Sequence, residues 1–109
     1  MGWVTVADTQ DVPPGRTKAV VVGGKRVLIC NVDGQFFAVS DVCTHDNEPL
    51  DQGVLNDHQI ECPRHGACFD VRTGKVLRLP AVQPIPTFAV QIEGQHILVA
   101  DQPSVGVAR

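Results

Sequence analysis

Residues 17–40 read TKAVVVGGKRVLICNVDGQFFAVS, and this stretch decides the fold class. Three runs, Thr17–Val22, Lys25–Val32 and Gln35–Ser40, are rich in β-branched, aliphatic and aromatic residues that fit a pleated sheet. Gly23-Gly24 and Asp33-Gly34 separate them. Such pairs tolerate positive φ at both central positions, as a tight hairpin requires. The stretch therefore reads as an antiparallel meander. Working outward, Trp3–Ala7 reads as a further strand, and Phe88–Glu93 and His96–Ala100 flank Gly94-Gln95 as another hairpin. There Val90 and Ile92, then Ile97 and Val99, alternate with other side chains, so one face is expected to be buried and one wet. No window of useful length shows helical periodicity. Ten glycines and eight prolines suit many turns. The expected fold class is all-β, a small antiparallel β-sandwich or barrel.

The 109 residues suit one domain spanning 1–109. With 43% hydrophobic and 19% charged residues, the chain is globular rather than disordered. Net charge is −3 with no block of like charges, so the basic stripe of a nucleic-acid binder is missing. No apolar run approaches the ~20 residues needed to cross a bilayer. Met1-Gly2-Trp3-Val4 lacks the charged-then-apolar order of a signal peptide. These features point to a soluble, cytoplasmic protein with no membrane or nucleic-acid partner. Cysteines there are usually reduced, and a group of them suggests metal or redox chemistry before disulfides.

Residues 41–76 break the strand rhythm. They hold Pro49, Gly53, Pro63, Gly66 and Gly74 and only short strand-like pieces, Gln59–Cys62 and Cys68–Val71, so they read as an insert carried on the β scaffold. Three of four cysteines and three of four histidines fall between Cys43 and Asp70. In an extended segment Cys43 and His45 share a face. Cys62 and His65 can converge across Pro63, and Gly66 lets the backbone come close to a bound group. Four readings of these pairs stand: ordinary core cysteines with loop histidines; two disulfides; a Cys₂His₂ zinc site, although familiar fingers place both cysteines before both histidines; and a two-iron, two-sulfide cluster with two cysteines on one iron and two histidines on the other.

Cys-x-His, sixteen residues, then Cys-x-x-His, as CTH and CPRHG, resembles the Rieske ferredoxin motif. LPAVQPIPTFAV, residues 79–90, is similar to the family's third, proline-containing loop, and FDVRTGKV, residues 69–76, to the stretch after its second loop. The resemblance covers nearly the whole chain. It implies a β scaffold with an inserted cluster-binding subdomain at about 41–76. It also implies one 2Fe-2S cluster held by Cys43 and Cys62 on the inner ferric iron and by His45 and His65 on the outer iron. It implies a one-electron carrier between a flavin-dependent reductase and a terminal oxygenase, with no small-molecule substrate or catalysis of its own. The alternative is a Rieske-like small subunit of an oxidoreductase complex such as assimilatory nitrite reductase.

Departures from the family refine this. The extra loop cysteines of respiratory Rieske proteins correspond to Glu48 and Arg64, so their disulfide is ruled out. Their serine and tyrosine hydroxyls correspond to Ala67 and Phe69. Without donors to sulfur the reduced cluster is less stabilised, and the potential is expected at about −150 to +50 mV. No facial triad of two His and a carboxylate is available, so a fused oxygenase site is not expected. His58 and His96 read as surface residues, Cys30 as buried and apolar in role, Cys68 as packing beneath the second loop, and Trp3 and Phe36 as core or edge aromatics. Asp46, Glu48, Asp51 and Asp57 make the first loop acidic; Arg64, Arg72, Lys75 and Arg78 make the second region basic. The docking patch is expected around Asn47, Arg64 and Pro84–Pro86, and Ser104–Arg109 reads as a loose tail.

Overall fold

The computed structural model describes residues 2–43, 49–63, 66–79 and 83–104. Among them eleven strands form three antiparallel sheets. The middle sheet contains the meander: β2 (Thr17–Val22), β3 (Lys25–Val32) and β4 (Gln35–Ser40) pair in chain order, and β9 (Thr87–Phe88) joins the far edge of β4. Both two-residue turns take positive φ at each position, 56° and 82° at Gly23-Gly24 and 52° and 91° at Asp33-Gly34. One outer sheet has the order β1 (Trp3–Asp8), β11 (His96–Ala100), β10 (Val90–Glu93). The other is a meander of short strands, β5 (Val54–Asn56), β6 (Gln59–Glu61), β7 (Cys68–Asp70) and β8 (Val76–Arg78).

β3 explains the layering. Its last six residues, Val27–Val32, are all buried. Alternate residues serve opposite faces. Leu28, Cys30 and Val32 enter one core with Val39, Cys43, Leu50, Ile60, Cys62, Phe69 and Ile85. Val27 and Ile29 enter a second core with Val12, Ile97 and Val99. A strand covered on both sides must be apolar throughout, which is why residues 27–30 run Val-Leu-Ile-Cys without alternation. Asn31 is the polar exception, and both its side-chain oxygen and nitrogen find partners. Its Nδ2 donates to the Val12 carbonyl at 2.7 Å and its Oδ1 accepts from Gly34 N at 2.7 Å.

The all-β, antiparallel expectation holds, with differences in detail. Phe88–Glu93 is not one strand. Thr87 and Phe88 pair with β4, whereas Val90–Glu93 pairs with β11, so the chain changes sheets at Ala89. Thr87 and Phe88 are buried in succession because they lie between layers, which removes the alternation a single strand would show. Ile92 is 43% exposed although it pairs with fully buried Ile97. It sits on an edge strand, with no strand beyond it in its sheet. Strands β5 and β8 went unread because, unlike the equally short β6 and β7, they bury no residue. Ser104 is hydrogen-bonded through its N–H to the Thr87 carbonyl at 2.7 Å, so it is not loose; 105–109 lie outside the described residues.

Candidate metal centre

Cys43 follows β4 and Cys62 follows β6, so each ends a segment fixed by a ladder before its loop begins. Both side chains enter the same core, at 0% and 1% exposure. None of the four cysteines lies in a disulfide. The second loop closes on itself: Cys62 N donates to Ala67 O at 2.7 Å, and Gly66 N donates to Cys62 O at 3.1 Å. Gly66 has φ of 79°, and a Cβ there would meet only the Glu61 carboxylate, at 3.7 Å. The expected partners His45 and His65 lie outside the described residues, as do Asp46, Asn47, Glu48 and Arg64. Among the described residues no three ligand-type side chains converge.

The first loop hangs from a buried carboxylate that sequence reasoning missed. Asp41, 2% exposed, binds Arg26 Nη2 through Oδ2 at 2.6 Å and accepts Leu50 N through Oδ1 at 2.8 Å. The loop's far end is drawn against β6 at Gly53, where an added Cβ would land on the Glu61 carbonyl, one residue before Cys62. The third segment is anchored likewise. Ile85 is 1% exposed, its N–H donates to Gly74 O at 2.9 Å, and Ser40 N donates to Pro86 O at 2.9 Å. Thus residues flanking all three loops meet one core.

Other candidates take the structural roles expected of them. Cys30 is fully buried, and burial first, then the Asp41 charge, pushes its thiol up to about 12. Cys68 is buried with Sγ 3.5 Å from Gly66 O, under the second loop. Burial raises its pKa, Arg78 opposes this and Glu61 adds to it, so the thiol stays protonated near neutrality. His96 is exposed beside Asp8 at 3.1 Å. His58 is less exposed than expected: it turns between β5 and β6 with its ring edge-on to Phe37 at 5.7 Å. Two residues of the basic region are locally paired. Arg72 holds Asp70 at 2.9 Å and keeps that carboxyl below its ordinary range, while Arg78 reaches Glu61 at 3.9 Å.

The profile of the Rieske [2Fe-2S] domain matches residues 2–89. The chain belongs to the Rieske [2Fe-2S] domain family. As a Rieske protein it carries one 2Fe-2S cluster. The ferredoxin component of biphenyl 2,3-dioxygenase from Rhodococcus jostii (strain RHA1) is 41% identical over 99 residues, covering 91% of this chain and 92% of that one. The ferredoxin of carbazole 1,9a-dioxygenase from Nocardioides aromaticivorans IC177 has a TM-score of 0.88 at 37% identity, covering 92% and 98% of the two chains. A carbazole 1,9a-dioxygenase ferredoxin seen in its oxidized form with the reduced oxygenase has a TM-score of 0.89 at 34% identity, covering 94% and 96%. These relatives are ferredoxins, and this Rieske chain is likewise an electron carrier rather than a catalyst. No helix of the described residues is long and apolar enough to cross a membrane.

The described residues fit the cluster. Two sulfur donors lie out of solvent and out of disulfides at the bases of adjoining loops. Ala67 and Phe69, both fully buried, bring no hydroxyl to that core.

Proposed function

We propose that the chain is a cytoplasmic one-electron carrier, taking an electron from a flavin-dependent reductase and giving it to the terminal oxygenase of a ring-hydroxylating dioxygenase system. Cys43 and Cys62 hold one iron and His45 and His65 the other. When bound, the 2Fe-2S cluster supplies a reversible one-electron couple. The observation that carries the ligand reading is the burial of Cys43 and Cys62 in one core, at the bases of two loops, the first closed by the Asp41 side chain and the second by backbone bonds. The relatives named as dioxygenase ferredoxins, one of them seen with its oxygenase, support the choice of partners.

This chain's residues then have plain tasks. The buried cysteine sulfurs keep water from the inner side of the centre. The hairpin bonds around Cys62 and the ladders before both cysteines limit movement of the ligands as charge changes. The partners meet the loop tips, with Pro84–Pro86 on the flank, through an interface below about 1,200 Å² as suits short-lived redox encounters.

Anaerobic purification followed by iron, acid-labile sulfide and zinc analysis, with EPR of the reduced state, tests the reading. The expected result is iron and labile sulfide in equal amounts and a signal from one reduced 2Fe-2S centre. Stoichiometric zinc, or absence of labile sulfide after reconstitution, overturns it. Cys62→Ser is expected to lose most iron; full iron and sulfide in that variant would overturn the ligand assignment. Mixing the reduced protein with a ring-hydroxylating oxygenase and following reoxidation tests the acceptor.

A further inference from the structure

The first loop begins and ends on one side chain. Asp41 stands two residues before Cys43, its carboxylate fully withdrawn from solvent. Oδ1 accepts the N–H of Leu50, nine residues on, and Oδ2 binds the Arg26 guanidinium. Arg26 also accepts the Asp41 N–H on its own carbonyl at 3.0 Å, so the two residues are joined through backbone and side chain. The same guanidinium lies 3.8 Å from Asp51, beyond the loop's far end. Leu50 is fully buried, and its carbonyl accepts from Gly53 N at 2.8 Å. A buried carboxylate persists only when paired and hydrogen-bonded, and this one has both supports.

We propose that Asp41 and Arg26 form a positioning clasp that closes the first cluster loop across residues 41–50 and sets a fixed pair of opposite charges at its base. This rests on the ligand reading above, since the loop carries Cys43 and His45. The Asp70–Arg72 pair is a built-in comparison: its geometry is bidentate, but it joins residues two apart and spans no loop. Arg78, against Gly66 O at 3.5 Å, is exposed and offers the second loop only a surface contact.

The clasp has two consequences. The first is mechanical: opening the loop requires breaking a charge-assisted bond at a buried acceptor. The second is electrostatic. A reduced cluster is one charge more negative than an oxidised one. Removing the Asp41 charge favours reduction, and removing the Arg26 charge disfavours it. A purely structural pair would move the reduction equilibrium the same way in both variants, or not at all.

The experiment uses Arg26→Gln, Asp41→Asn and the comparison variant Arg72→Gln, each as the cluster-loaded protein. The first readout is loss of visible absorbance with excess chelator. Arg26→Gln and Asp41→Asn are expected to bleach about two- to tenfold faster than wild type, the factor one net hydrogen bond is worth, with Arg72→Gln unchanged. The second readout is the reduced-to-oxidised ratio at one fixed ambient potential. Asp41→Asn is expected to raise it and Arg26→Gln to lower it, each by about two- to tenfold, as one charge acts through partly solvated protein. Wild-type bleaching rates in both variants, or ratios moving in the same direction, overturn the clasp. Should Asp41→Asn not fold, Arg26→Gln decides alone: the Arg26 side chain is 54% exposed, and Asp41 keeps the Leu50 N–H as a partner while glutamine can still donate to it. In that case faster bleaching with a lowered ratio supports the clasp, and failure of either result overturns it. A fully loaded wild type with unaltered variants overturns the clasp and leaves the carrier reading standing. A wild type that never takes up a cluster overturns both.

Discussion

Gly74→Ala tests how the third loop is held, because Gly24 supplies a matched control. Gly74 has φ of 80° and Gly24 has φ of 82°, so an alanine at either position meets the same left-handed backbone penalty, about 1–2 kcal/mol. Their surroundings differ. A Cβ at Gly24 meets nothing within 4 Å, whereas a Cβ at Gly74 lands on the Ile85 carbonyl oxygen. Relief of that overlap moves Ile85 away from Gly74. It strains the Ile85 N–H bond to Gly74 O, worth ~1 kcal/mol, and disturbs a core packed tightly enough that overfilling costs about 1–3 kcal/mol. The contact therefore adds about 2–4 kcal/mol beyond the backbone penalty the variants share. In a domain of this size ~1 kcal/mol moves Tm by about 4 °C. Gly24→Ala is expected to melt about 4–8 °C below wild type and Gly74→Ala a further ~8–16 °C lower. The assay is a thermal melt followed by far-UV circular dichroism at one scan rate, with visible absorbance reporting the cluster in parallel. Melting temperatures for the two variants within about 2 °C of each other would refute the argument, because the close approach to Ile85 would then carry no energy.

Equilibrium redox titration is expected to place the midpoint at about −150 to +50 mV, since Ala67 and Phe69 bring no hydroxyl to the buried core; a value above about +150 mV would overturn that reasoning. Cys30 makes stability depend on alkaline pH. Its folded-state value of about 12 lies above the ordinary 9.0, so the stabilisation is complete below about pH 9 and is lost as pH rises toward 12. In urea unfolding, wild type should lose ~1.4 kcal/mol per pH unit relative to Cys30→Ala across that window, whereas a constant difference between the two proteins would sink the assignment. Asn31→Ala strips a partner from both Val12 O and Gly34 N, and a loss of about 2–4 kcal/mol in urea unfolding is expected. A loss below ~0.5 kcal/mol would show that water replaces both bonds at no cost.

The meander over 17–40 was legible because its signals agree. Gly-Gly and Asp-Gly turns, run length and β-branched content all favour the same hairpins, and strand bounds there match those read from the sequence. The third sheet was less legible. Val54–Asn56 and Val76–Arg78 bury no residue, although Asn56-Asp57 before His58 held a clue: Asp57 takes φ of 55°, a conformation Asp tolerates in a tight turn. That Cys43 and Cys62 belong together was legible because sulfur beside imidazole at that spacing is rare, and the fold puts both in one core. Asp41 was not. Its role depends on Arg26, fifteen residues earlier, and on the amide of Leu50, a group with no sequence signature. Gly53 and Gly74 read only as turn formers, whereas tertiary contact gives each a second reason to lack a side chain.

The layering bears on how the electron is handled. β3 is shared by two cores, so it cannot shift toward one without opening the other. Arg26, at its start, grips the base of the first loop, and Leu28, Cys30 and Val32 floor the core that contains Cys43 and Cys62. Packed side chains resist displacement because their interiors have few voids to move into. The core that contains Cys43 and Cys62 is thus walled by a sheet clamped from both sides. A substitution on the far face of β3, such as Ile29→Ala, should lower global stability through the second core while the midpoint potential stays near that of wild type. An equal shrinkage at Leu28 should disturb both, since Leu28 lies against the cysteines' own core. If the Ile29 variant shifts the potential as much as the Leu28 variant does, the two faces are not mechanically separate and the clamped-sheet account fails.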